Sequence, residues 1–246
     1  MQSLSKWSED WLMLFNVEKC KVVHFGRKNP CEKYSLSGTD LQVVDEERDL
    51  GVIVQNDLKV SLQCTKVVNT ANRVLGMIYR SFTSRSKDIL LLLYKSLVRP
   101  HLEYCVQAWR PHLVKDISII EKVQRRATRM IDGFRALSYE QRLSELNLTT
   151  LETRRLRGDL LEVFKIMKGF DNVNADDLFS RITNDLRGHS FKLFKHRFVT
   201  NIGKYSFANR IIDEWNLLPE DIVSCNTVNM FKNKLDHYLR FCRGLI

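Results

Sequence analysis

Val67, Ala71, Leu75, Ile78 and Phe82 recur at intervals of three and four, which puts all of them on one face of a helix. An apolar stripe of that width has to be buried against something, and the residues that follow supply partners of the same kind. Ile89 to Val98 reads as a second helix, ended by Pro100, whose ring cannot continue the ladder. Ile117, Ile120, Val123, Ala127 and Ile131 mark a third stripe, closed by Gly133. Two further helices are announced by capping boxes, Ser138 with Gln141 and Thr149 with Glu152. Residues 57 to about 170 are thus predicted to be helical throughout. Composition agrees: 10 Gly and four Pro are too few for a turn-rich all-β chain, and 44% hydrophobic residues suffice for a core.

The first 56 residues read differently. Trp7, Trp11 and Leu14 have helical spacing, and the stretch from Cys20 through Val22 to Phe25-Gly26 then reads as an extended, largely buried strand. Next comes a hairpin, Tyr34 to Leu36 and Leu41 to Val44 about a Ser37-Gly38-Thr39-Asp40 turn, and then a short strand from Leu50 to Val54. From about residue 187, HSFKLFKHRF alternates basic and apolar residues before helical patterning returns at Phe207 to Leu218 and Val228 to Phe241. The expected fold class is α+β and mostly α. Its three parts are 1–56 (helix, strand and hairpin), 57–170 (helical) and 171–246 (mostly helical).

Charge narrows the partners. The chain carries 39 Lys and Arg against 29 Asp and Glu, and the excess is concentrated. Residues 61–170 hold 20 basic and 10 acidic side chains, whereas 1–60 hold 8 and 10 and 171–246 hold 11 and 9. A polyanion is therefore expected to meet the middle of the chain. The longest apolar run, Ile89 to Tyr94, is far short of a membrane span, and the N-terminus lacks a signal-peptide pattern. Cys20, Cys31, Cys64, Cys105, Cys225 and Cys242 form no CxxC and no paired His spacing, so neither a disulfide framework nor a zinc knuckle is indicated. The expectation is an intracellular chain, nuclear or cytoplasmic, with no membrane partner.

Two basic clusters stand out. Lys122, Arg125, Arg126 and Arg129 lie three and four apart opposite the third stripe, which makes one cationic strip suited to phosphates. A solvated helix face is the plainer reading of the same pattern. Arg154, Arg155 and Arg157 crowd the first turn of another helix, where the macrodipole disfavours positive charge by up to about 1 kcal/mol. An anion would relieve that cluster, as would acidic neighbours such as Glu152 and Asp159.

These segments also carry a resemblance. WSEDWLMLFNVEKCKVVHFG, ERDLGVIV, NRVLGMIYRSF, LLLYKSLVRPHLEYCVQAW, IEKVQRRATRMI and TLETRRLRGDLLEVFKIMKG, with RIIDEWNLLPEDIV and FKNKLDHYL after them, follow in order along nearly the whole chain. In that order they resemble the C-terminal half of the reverse transcriptase of jockey-like, LINE-type non-LTR retrotransposons. The resemblance implies that residues 1–56 are the end of a polymerase palm, with Leu50, Gly51 and Val52 in the hairpin that grips the primer end. It implies that 57–170 is thumb-like and 171–246 post-thumb, and that the partner is an RNA or DNA primer–template duplex.

The family's chemistry needs magnesium held by carboxylates on adjacent palm strands. The resemblance places those carboxylates upstream of Met1, so no catalytic residue, metal ligand or bound cofactor is expected in these residues. Asp176-Asp177 is the one lookalike, but Asn174 before it reads as a helix cap. Asp45-Glu46-Glu47 reads as a solvated turn, and Cys20 and His24 as core or edge residues. Two functions remain: a duplex-binding part of a truncated polymerase, inactive alone, or an inert or protein-interacting fragment that self-associates through an open palm edge.

Overall fold

A computed structural model describes residues 2–26, 28–182 and 188–242. Helix outweighs strand, and the sheets are small, two-stranded pieces. The chain divides into two compact units, 1–63 and 64–246.

In the first unit, α1 (Gln2–Asp10) stops before Trp11. The Ser8 hydroxyl donates to the Met13 carbonyl at 2.9 Å and Leu12 turns to φ 54°, so the chain curls back. Trp11 and Leu14 are consequently exposed, outside the helical stripe expected of them. A single 3₁₀ turn, Val17–Lys19, precedes β1 (Lys21–Val22). The buried strand expected as far as Gly26 does not form. β1 pairs for two residues only, parallel to β4 (Gln42–Val43), and Phe25 is left exposed.

Two hairpins follow. β2 (Ser35–Leu36) and β3 (Thr39–Asp40) are joined by Ser37-Gly38, and β5 (Glu46–Asp49) and β6 (Val52–Gln55) by Leu50-Gly51. All four linking residues have positive φ, as a two-residue turn matched to strand twist requires. Glu46 and Glu47 are therefore strand residues and not a solvated turn, while Leu50 and Gly51 belong to the turn and not to the strand. Leu36 and Val52 are the buried apolar residues described here. The Ile53 amide donates to the buried Gln63 side chain at 3.0 Å.

The second unit is helical. α2 (Ser61–Ser81) buries Cys64, Ala71, Leu75 and Ile78, while Phe82 lies beyond its end and is exposed. Burial pushes the Cys64 thiol up to about 12, an unreactive, packing cysteine. α3 (Lys87–Leu93) continues through one π turn, Tyr94–Val98, into α4 (Arg99–Glu103). Pro100 thus does not end the helix. It occupies the first turn of α4, directly after the widened turn in which the Arg99 amide reaches back to the Tyr94 carbonyl, so the ladder is already re-registered where the proline lacks its N–H.

After α5 (Val106–Trp109) come α6 (Val114–Arg129), α7 (Tyr139–Glu145) and α8 (Leu151–Met167). Ser138 and Gln141 make the capping box on α7. On α8 the cap is Thr150, accepting from the Thr153 amide, one residue later than the expected Thr149–Glu152 box. Short helices α9 (Ala175–Leu178), α10 (Asn201–Lys204), α11 (Phe207–Arg210), α12 (Ile212–Asn216) and α13 (Glu220–Val223) lead to α14 (Val228–His237) and a terminal π turn.

Residues after 170 do not form a third unit. Their Trp215, Ile222, Phe231 and Leu235 share one core with Leu160, Val163 and Phe164 of α8, and Phe164 stacks on Phe231 with ring centroids 4.1 Å apart. Among the described residues, no helix is long and apolar enough to cross a membrane.

Candidate nucleic-acid interface

The rotation of α6 decides what its cations can touch. Its inner face carries Ile120, Val123 and Ala127 together with buried Glu121 and Gln124. Glu121 accepts from the Tyr139 hydroxyl and, at 3.0 Å, from the Leu151 amide. Gln124 donates to the Tyr139 hydroxyl at 2.9 Å and to the Thr149 carbonyl at 3.0 Å, and accepts from the Tyr94 hydroxyl at 2.7 Å. Burial, reinforced by the Glu121 charge, raises the Tyr139 phenol far above its ordinary range, so it stays a neutral donor. A buried polar network of this kind fixes one orientation, because any rotation of α6 would strand its groups without partners.

With the inner face fixed, Lys122, Arg125, Arg126 and Arg129 all face solvent. Arg125 lies over the Tyr139 ring at 3.9 Å, and Arg126 donates to Asn72 of α2 at 3.3 Å. None of the four forms an ion pair with a carboxylate among the described residues.

Three more arginines join them from elsewhere. Arg85 stacks over Tyr79 at 3.9 Å, and its carbonyl accepts from the Asp132 amide at 3.1 Å, tying the link between α2 and α3 to the segment after α6. Arg135 follows α6, and Arg142 reaches in from α7. Together the seven cations and one carboxylate, Asp132, line a concavity of about 920 Å³. Arg142 is only 4% exposed, and its Nε is buried without a partner. Burial, followed by repulsion from Arg129, lowers its pKa. Arg85, Arg135 and Arg142 carry no helical-strip signature; only the fold assembles them beside α6.

Arg154, Arg155 and Arg157 do not join this surface. Arg154 makes a two-pronged pair with Glu103 of α4, and Arg157 does the same with Asp236 of α14. Arg155 is 1% exposed, and burial lowers its pKa. The crowding at the start of α8 is thus relieved for Arg154 and Arg157 by carboxylates brought from distant helices. These two also line a second concavity with Lys95, Arg99, His237 and Arg240.

In the first unit Leu50 is 83% exposed at the tip of the β5–β6 hairpin, whereas Val52 points inward. Asp176 and Asp177 sit in the first turn of α9. Asn174 caps that turn by accepting from the Asp176 amide, and its Nδ2 donates to Asp177. This is a capping arrangement. Among the described residues no group of three or more His, Cys, Asp or Glu side chains is placed to hold a metal ion. No protein-family model, curated protein or solved structure matches the chain.

Proposed function

We propose that the chain is the primer–template-binding part of a non-LTR retrotransposon reverse transcriptase, with residues 57–170 as its thumb-like portion and 171–246 as the part that follows the thumb. The observation that carries this reading is the α6 strip: Lys122, Arg125, Arg126 and Arg129 are exposed along one helix face without carboxylate partners. Cations arranged in this way displace the counterions condensed on phosphates, and so favour a nucleic-acid backbone over any particular sequence. No bond-making step is assigned to these residues. In the family the metal-dependent transfer belongs to palm aspartates that the resemblance places outside them.

Binding of an RNA–DNA hybrid duplex across a salt series tests the reading. Replacing the four cations with alanine should weaken binding to every sequence alike and flatten the salt slope by about one unit per lost contact. A folded quadruple variant with unchanged affinity and slope would leave the strip as an ordinary solvated face. That result would favour the second reading, a protein-docking fragment, for which the exposed Trp11, Leu12, Met13 and Leu14 of the first unit are the supporting observation.

A further inference from the structure

The concavity beside α6 differs from a simple charged strip in one respect. A strip of solvated lysines and arginines repels itself weakly and needs no ligand. Here Arg142, which lines the hollow, is buried and has an unpartnered Nε, while Arg125 and Arg129 stand close enough to repel it. Arg125 and Arg142 are held by the same Tyr139 ring, at 3.9 and 5.6 Å from its centroid, and Tyr139 is itself locked by Glu121 and Gln124. The guanidinium planes are therefore positioned in advance by the core and not left to sample rotamers in solvent. A buried N–H donor without an acceptor costs stability unless something accepts from it. The carboxylates at the margin, Asp132 and Glu140, are both exposed, and neither forms an ion pair with Arg142.

We propose that this hollow is a built seat for a single phosphate group, gripped by Arg142 and Arg125, which the Tyr139 ring holds in place, with Arg129 beside them, and not a stretch of a uniform electrostatic track. The chemistry is that of a tetrahedral oxyanion, whose oxygens accept from planar guanidinium forks, a geometry that lysine does not reproduce. The inference rests on the duplex-binding reading and deepens it. The strip supplies affinity along the backbone, while the seat fixes one phosphate and so the register of the strand. That phosphate could be an internal phosphodiester or a terminal monoester, and the two are separable.

The test uses charge-conserving variants of the full chain, Arg142→Lys and, because Arg142 is buried, the exposed Arg125→Lys as a second route, each checked for folding by circular dichroism. Three probes are titrated at fixed salt: an RNA–DNA hybrid with 5′-hydroxyl ends, the same hybrid with 5′-phosphates, and inorganic pyrophosphate as a competitor. The proposal expects pyrophosphate to displace the hybrid from the natural chain, and each variant to lose about tenfold in pyrophosphate affinity with its salt slope unchanged. A tenfold gap between the two hybrids that vanishes in the variants assigns a terminal phosphate. Equal hybrids, both weakened in the variants, assign an internal one. If both folded lysine variants bind all three probes as the natural chain does, the seat is refuted, while salt-dependent hybrid binding that persists leaves the duplex reading standing. Pyrophosphate binding lost in the variants, with no hybrid binding at all, would instead keep the seat and remove the duplex.

Discussion

Asp159 is wholly buried and accepts from Arg110 at 2.9 Å and from both Nε and Nη2 of Arg210 at 2.9 and 3.0 Å. From sequence it is one of two acids that could offset the neighbouring arginines of α8. In the structure it is committed to two arginines 49 and 51 residues away, a pairing no local spacing announces. His189 has a similar history, appearing in the sequence only as one letter of a basic-apolar run. It is buried, its Nδ1 accepts from the Phe191 amide at 3.2 Å, and Nε2 then carries the hydrogen and donates to the Trp215 carbonyl at 2.9 Å. Burial lowers its folded pKa below the ordinary value. The unfolded chain therefore takes up a proton near pH 6.5 that the folded chain still refuses, so stability is fully present above about pH 6.5 and falls as pH drops toward the folded pKa. Urea titrations of the natural chain and of His189→Gln should show the acid-side loss of stability diminished in the variant; parallel curves would mean that other groups govern that limb.

At the scale of elements, the two hairpins share a rule that the sequence half displays. Ser37-Gly38 is a familiar turn pair, whereas Leu50-Gly51 is not, because leucine at φ 43° is in a left-handed conformation that costs it roughly 1 kcal/mol. Local spacing does not mark a leucine as a turn residue, so the sequence alone places Leu50-Gly51 within a strand. Leu50→Asn should stabilise the β5–β6 hairpin by about 0.5–1 kcal/mol, measured by amide exchange across the Asp49–Val52 pair. If the hairpin tip meets a primer end through the exposed leucine, the same variant should bind hybrid duplex more weakly although it is more stable. Helix existence was legible wherever an apolar stripe ran long, as in α2 and α6. Helix ends were less so. The α8 cap slipped from Thr149 to Thr150, since adjacent threonines offer equivalent oxygens and only the chain's entry angle chooses between them.

Across the whole molecule, stability should be unequal. The described part of residues 1–63 buries two apolar side chains in short, two-stranded pairings, whereas 64–246 surrounds Trp109, Trp215, Phe164 and Phe231 completely. Local opening is governed by how much packed surface an element must release, so the first unit should exchange its amides far sooner. Hydrogen exchange comparing Val22 to Phe25 with Val123 to Ile131 checks this. Equal protection would mean that the first unit finds further packing in solution, such as a second copy along its strands.

What the sequence determined alone was periodicity: which residues form long helices, that helix dominates, and that four cations share the outer face of α6. These follow from backbone geometry, which repeats every few residues and can be read without knowing any partner. What the tertiary structure decided was company. It sent Arg154 to Glu103, Arg157 to Asp236 and Asp159 to Arg210, folded the residues after 170 into the core of α8, and brought Arg85, Arg135 and Arg142 around the α6 strip. A charge is satisfied by whatever lies within a few ångströms of it, and for these residues that neighbour arrives from a distant part of the chain, where local spacing carries no information.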